Sequence, residues 1–206
     1  FLIKNNTFGF GNLEENTILR KIYHTFFQRL IFERNIFSTK IYLHFKKVFN
    51  GQNRVLGLDI MRHANTFLFL DNYLFNKENI DNICIIGDGR TNFLAPAYHL
   101  KKFDKLISVN LTETLIADLL ILANDKSISV NEIKVVDNEE DFNNCILNKN
   151  VKIILVPSQF NEILSNKGIK LFINISSFQE ITIENINIYF KIIKSNNSFL
   201  YCCNRE

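Results

Sequence analysis

The residues with the clearest capacity for chemistry are Ile83-Cys84-Ile85-Ile86-Gly87-Asp88-Gly89-Arg90-Thr91-Asn92. A short apolar run leads into Gly-x-Gly, and the pattern predicts a helix over Asn92–Leu100. In such a turn the first glycine permits a tight bend. The second lets a ligand approach the backbone without meeting a Cβ. The helix behind it offers backbone N–H groups at its start. The same residues also fit an ordinary strand-to-helix turn that binds nothing.

Three nucleotide-type ligands use turns of this kind. A phosphate-binding loop needs Gly-Lys-Ser/Thr after the glycines; here Arg90-Thr91 follows and the spacing is wrong. A dinucleotide site wants a third glycine for close helix packing, where this chain has Asn92. That disfavours a nicotinamide-dependent enzyme. An S-adenosylmethionine site needs less, because it has no pyrophosphate to hold. It needs a hydroxyl-binding residue at the end of the second strand, here Ser108-Val109-Asn110-Leu111. Asp or Glu is the usual choice there. Asn110 can accept through its carbonyl oxygen, without the charge assistance of a carboxylate. With 29 Asn in 206 residues, Asn is the background residue, so no single one weighs much.

These residues must be carried by a scaffold. After about residue 80, apolar runs at Ile83–Ile86, Leu106–Val109, Ile133–Val136, Val151–Val156, Leu171–Ile175 and Phe199–Cys203 alternate with helical stretches. The helices fall at Asn92–Leu100, Glu113–Ala123, Glu139–Leu147 and Ile181–Ile193. Short, nearly continuous apolar runs between helices predict an α/β fold, with a parallel sheet of at least five strands buried on both faces. Residues 1–80 read instead as a helical segment. Ile18, Ile22, Phe26 and Leu30 recur at steps of four. Ser38 or Thr39 can cap a second helix with Tyr42, Phe45 and Phe49, and a third runs from Asp59 to Phe75. So many Phe on helices without a sheet of their own suggest a lid or a dimer face.

Composition bounds the rest. At 47% hydrophobic and 22% charged, the chain is globular in type. A net charge of +3 is too small an imbalance to argue for a nucleic-acid or anionic-membrane partner. No uncharged apolar run reaches the ~18 residues of a spanning helix. Leu56–Leu74 comes nearest and contains Asp59, Arg62, His63 and Asp71. The four Cys, at 84, 145, 202 and 203, lack CxxC spacing and read as small apolar residues in a reducing cytoplasm. The chain opens on Phe1 and stops at Glu206 after a strand-like run, so it reads as part of a longer protein.

Beyond the Gly turn, one series stands out. It runs through Ile107-Ser108-Val109-Asn110-Leu111-Thr112-Glu113, then Leu171-Phe172-Ile173-Asn174-Ile175-Ser176-Ser177-Phe178-Gln179-Glu180-Ile181, then Ile188-Tyr189-Phe190. It closes on Phe199-Leu200-Tyr201-Cys202-Cys203-Asn204-Arg205-Glu206. Over about residues 55–206 the chain resembles the sugar O-methyltransferase family of bacteria. Its most specific parts are Asn174-x-Ser176-x-x-Gln179-Glu180 and Tyr201-x-x-Asn204-Arg205-Glu206. Asp is common in that family where Asn110 stands, and Met is commoner than Ile181.

The resemblance implies a Rossmann-like class I methyltransferase sheet of order 3-2-1-4-5, with its last strands beyond Glu206. It implies S-adenosyl-L-methionine over the carboxyl ends of strands 1, 2 and 4, and transfer of its methyl to a sugar hydroxyl in surface polysaccharide or lipopolysaccharide synthesis. The cofactor residues would be Gly87, Asp88, Gly89, Asn110, Leu111 and Asn174, with Ser158 and Gln159 of the turn after Val156-Pro157 facing the adenine. Ser176 and Gln179 would hold the acceptor, a sugar, nucleotide sugar or glycan. Glu180 is the first choice of base, although a carboxylate there also suits the first turn of a helix. His63, on a helix that could close over the site, is the second choice; it also fits a solvated face. His99 reads as a helix-end partner. The acidic run Asp137–Asp141 fans around a helix start, so no metal site is expected. The competing function, from another class, is a non-catalytic Rossmann-like interaction domain whose Phe-rich helices bind a partner.

Overall fold

The computed structural model describes residues 18–32, 34–100 and 103–204. The chain divides into two compact units, Phe1–Glu78 and Asn79–Glu206. Arg205 and Glu206, which close the series quoted above, lie outside the described residues.

In the first unit, α1 (Ile18–Ile31) is followed by a 3-10 turn at Arg34–Ser38, then α2 (Lys40–Gly51) and α3 (Leu58–Leu70). Thr39 caps α2: its side chain accepts from the Tyr42 N–H at 3.1 Å. The apolar stripe of α2 buries Phe45 and Phe49, and that of α3 buries Met61, Ala64 and Phe67. Their rings form the core, with Phe45 and Phe67 centred 6.1 Å apart and Phe67 and Phe75 5.5 Å apart. The helix expected over Asp59–Phe75 is α-helical only to Leu70, and its last turn, Asp71–Phe75, is a π turn.

The second unit is α/β. Strands β1 (Asn82–Ile86), β2 (Lys105–Asn110), β3 (Ile133–Val135), β4 (Ile153–Pro157), β5 (Leu171–Ile175) and β6 (Phe199–Cys203) form one sheet of order β3-β4-β2-β1-β5-β6. Every pairing is parallel. This is a Rossmann-like arrangement with one more strand than the minimum of five, β3 being an added edge. Between the strands lie α4 (Leu94–Leu100), α5 (Thr112–Asn124), α6 (Glu139–Leu147) and α7 (Ile183–Ser195). On one face Cys84, Ile86, Ile107, Val109, Ile154, Val156 and Phe172 pack with Phe142 of α6 and Tyr189, Ile192 and Ile193 of α7. The alternate residues Ile83, Ile85, Leu106, Ser108 and Ile173 are buried too. Burial on both faces is why these strands read as continuous apolar runs.

Helix α4 begins at Leu94, two residues later than its periodicity predicts. Gly89, Arg90 and Thr91 all have left-handed backbones, with φ of 54°, 65° and 58°. A right-handed helix cannot extend through them. Pro96 then falls in the first turn, where its missing N–H costs nothing. Among the described residues no helix is long and apolar enough to cross a membrane.

Candidate functional site

From β1 the chain moves outward to β2; from β5 it moves the other way to β6. The loops leaving β1 and β5 therefore part, and a parallel sheet opens a ligand crevice at such a switch point. The turn after β1 and residues 174–180 meet there.

Its floor is a hydrogen-bond network. The Ser177 hydroxyl donates to the Ile86 carbonyl at 2.8 Å, and Asn174 Nδ2 donates to the same oxygen at 3.2 Å. Asn174 Nδ2 also meets Ser177 Oγ, and Asn174 Oδ1 accepts from the Phe178 N–H at 3.2 Å. Asn174 is fully buried, and its amide is used in joining β5 to β1. Ser176, at φ 65°, donates its N–H to the Cys203 carbonyl at 2.8 Å.

The two glycines of the turn are not equivalent. Gly87 has φ 71°, and a Cβ there would collide with Ser177 Cβ and Oγ. Gly89 has φ 54°, and a Cβ there would meet nothing within 4 Å. Gly87 thus makes room for the protein itself, whereas Gly89 borders open space. Between them Asp88 is buried, and its carboxylate accepts from the Phe93 N–H at 2.7 Å and the Leu94 N–H at 2.9 Å. Ala95 N–H goes to the Thr91 carbonyl, and Pro96 has no N–H. The donors at the start of α4 are therefore engaged within the chain.

Asn110 ends β2 half-buried. Its Oδ1 accepts from the Leu111 N–H at 3.1 Å, and its Nδ2 faces Asp118 Oδ2 at 3.4 Å. Leu111 is exposed. After β4, Ser158 is half-buried and Gln159 exposed, and Gln159 Oε1 accepts from the Thr112 hydroxyl at 3.3 Å. The ends of β2 and β4 are so tied together. Gln179 and Glu180 are exposed on the 3-10 turn Phe178–Glu180, whose Glu180 N–H donates to the Ser177 carbonyl at 3.0 Å.

His63 belongs to the helical unit. It is buried, and that burial, aided by the positive charges of Arg62 and Arg54, lowers its pKa to about 3. A ring held neutral this firmly is a poor proton acceptor near pH 7. His99 closes α4 and pairs with Asp125 at 3.0 Å. The acidic run starts α6: Asn138 caps it, accepting from the Asp141 N–H at 2.8 Å, and Glu139 pairs with Lys167 at 2.5 Å.

The sequence patterns above do not point to Asp118. It is fully buried on α5, in one stripe with Leu115 and Leu122. Its charge supports that of Arg90, which burial otherwise weakens. An acid inside an apolar stripe was the signal available. Thr91 Oγ1 and Ser108 Oγ are also buried, with no hydrogen-bond partner among the described residues.

Comparison of the chain with protein-family models, curated proteins and solved structures returns no match.

Proposed function

We propose that the chain is an S-adenosylmethionine-dependent O-methyltransferase whose acceptor is a sugar hydroxyl in polysaccharide or lipopolysaccharide synthesis. The observation that carries this reading is the turn Gly87-Asp88-Gly89. It leaves open space at Gly89, yet its acidic residue already occupies the helix-start donors that a pyrophosphate needs. An anionic turn suits a cationic sulfonium better than a diphosphate.

When bound, the cofactor supplies an electrophilic methyl group. Gly89 admits its methionine or ribose part against the backbone. Asn110 Oδ1, which takes the Leu111 N–H on one lone pair, would accept from a ribose hydroxyl on the other, and Leu111, Ser158 and Gln159 would border the base. Asn174 acts from below, holding the Ser177–Phe178 turn. Ser176 and Gln179 would hold the acceptor, and Glu180 would take its hydroxyl proton as the methyl passes from sulfur to that oxygen, the S–C bond breaking as the O–C bond forms and S-adenosylhomocysteine leaving. Positioning supplies most of the rate, and a base adds roughly 10²–10⁴-fold.

Exposed apolar side chains on α1 favour the second reading, a non-catalytic interaction domain. Isothermal titration with S-adenosylhomocysteine separates the two. Saturable heat supports the transferase; no heat at high micromolar cofactor overturns it.

A further inference from the structure

We propose that α1 is a docking surface for an anionic phospholipid bilayer, an inference independent of the activity above. Four apolar residues along one side of this helix are exposed: Ile18 by 76%, Ile22 by 62%, Phe26 by 59% and Leu30 by 67%. Tyr23 is exposed beside them. The rings of Tyr23 and Phe27 are centred 4.6 Å apart and those of Phe26 and Phe27 5.6 Å apart, so they form one aromatic cluster. Single exposed apolar residues are ordinary; a contiguous row marks an interaction surface.

Charge selects the occupant. The sequence of α1, ILRKIYHTFFQRLI, contains Arg20, Lys21 and Arg29 and no Asp or Glu. Those three cations equal the formal net charge of the whole chain, +3, so the remainder is formally neutral. A second copy of α1 would bring a like-charged helix against the first, with no acid within α1 to neutralise it. An anionic bilayer answers both features: acyl chains take the exposed Ile, Phe and Leu side chains, and lipid phosphates offset the positive charge of the helix, on which Arg29 is exposed. Amphipathic helices with a basic polar side and Phe and Leu on the other lie in the membrane interface in this way.

The test is co-sedimentation of the full chain with vesicles of phosphatidylcholine mixed with phosphatidylglycerol, and with phosphatidylcholine alone, at low and high salt. Expected is binding to the mixed vesicles, weakened by salt, with much less binding to phosphatidylcholine alone. Ile22→Glu with Phe26→Glu should lower the partition coefficient at least ~10-fold, and Arg29→Gln about fivefold. Because these positions are exposed, both variants should keep the wild-type melting temperature. Absence of vesicle binding overturns the proposal, as does equal, salt-insensitive binding to both vesicle types. Wild-type partition of the folded double variant removes α1 from the surface. A dimer that the double variant breaks, with no vesicle binding, assigns the face to a second copy instead.

Discussion

Ser177 fills the space that a side chain on Gly87 would occupy, and its hydroxyl donates to the carbonyl of Ile86, one residue before that glycine. The contact joins β1 to β5 across the switch point, so the first glycine is a packing requirement of the fold. Gly87→Ala should destabilise the protein by roughly 2–4 kcal/mol, from the left-handed backbone and from overpacking. Urea unfolding measures it. A loss below that of Gly89→Ala would show that Ser177 yields easily.

Gly89 should behave in the opposite sense. Nothing stands where its Cβ would go, so Gly89→Val costs only the left-handed backbone, roughly 1–2 kcal/mol. If the cofactor reading holds, binding of S-adenosylhomocysteine is lost while the fold persists. Melting temperature and dissociation constant, measured on the same variant, check this. Unchanged affinity in folded protein removes the turn from the site.

Asp88 caps α4 with both carboxylate oxygens. Asp88→Ala leaves two buried N–H groups without acceptors and should cost roughly 2–4 kcal/mol. Asp88→Asn keeps one acceptor and should cost about half as much. Hydrogen exchange at Phe93 and Leu94 should accelerate in both variants; unchanged protection there would refute the cap.

His63 makes stability depend on pH. Its folded pKa is about 3 against an ordinary value of 6.5, so the unfolded chain binds the extra proton between these limits. The contribution is complete above about pH 6.5 and is lost as pH falls towards 3, up to a few kcal/mol. His63→Phe should flatten that part of the curve in denaturant titrations across this range. An equal slope in wild type and variant would place the dependence elsewhere.

Asp118 supports the buried charge of Arg90. Asp118→Ala should cost about 3 kcal/mol, because it leaves Arg90 buried beside a lost counter-charge. Asp118→Leu, which restores the volume, should recover little of that. Full recovery in urea unfolding would show that packing, not charge, is what Asp118 supplies.

Much of the scaffold is legible in the chain alone. Strands β5 and β6 and helix α6 fall on the residues their patterns predict, because apolar runs and helical spacing are local signals. A cap at Ser38 or Thr39 is readable for the same reason, and the structure settles on Thr39. What could not be read is which chemistry each site residue has left to offer. Gly87 and Gly89 look alike in sequence, and only Ser177, ninety residues away, makes one a packing position and leaves the other beside open space. Asn174 looks like a ligand residue, and only its bonds to Ile86 and Phe178 show its amide engaged. The sequence by itself determined the order of elements and the Gly-x-Gly turn between β1 and α4. The tertiary structure decided that β4 lies between β2 and β3 and that β5 meets β1, because strand pairing depends on contacts between distant residues that no local periodicity encodes.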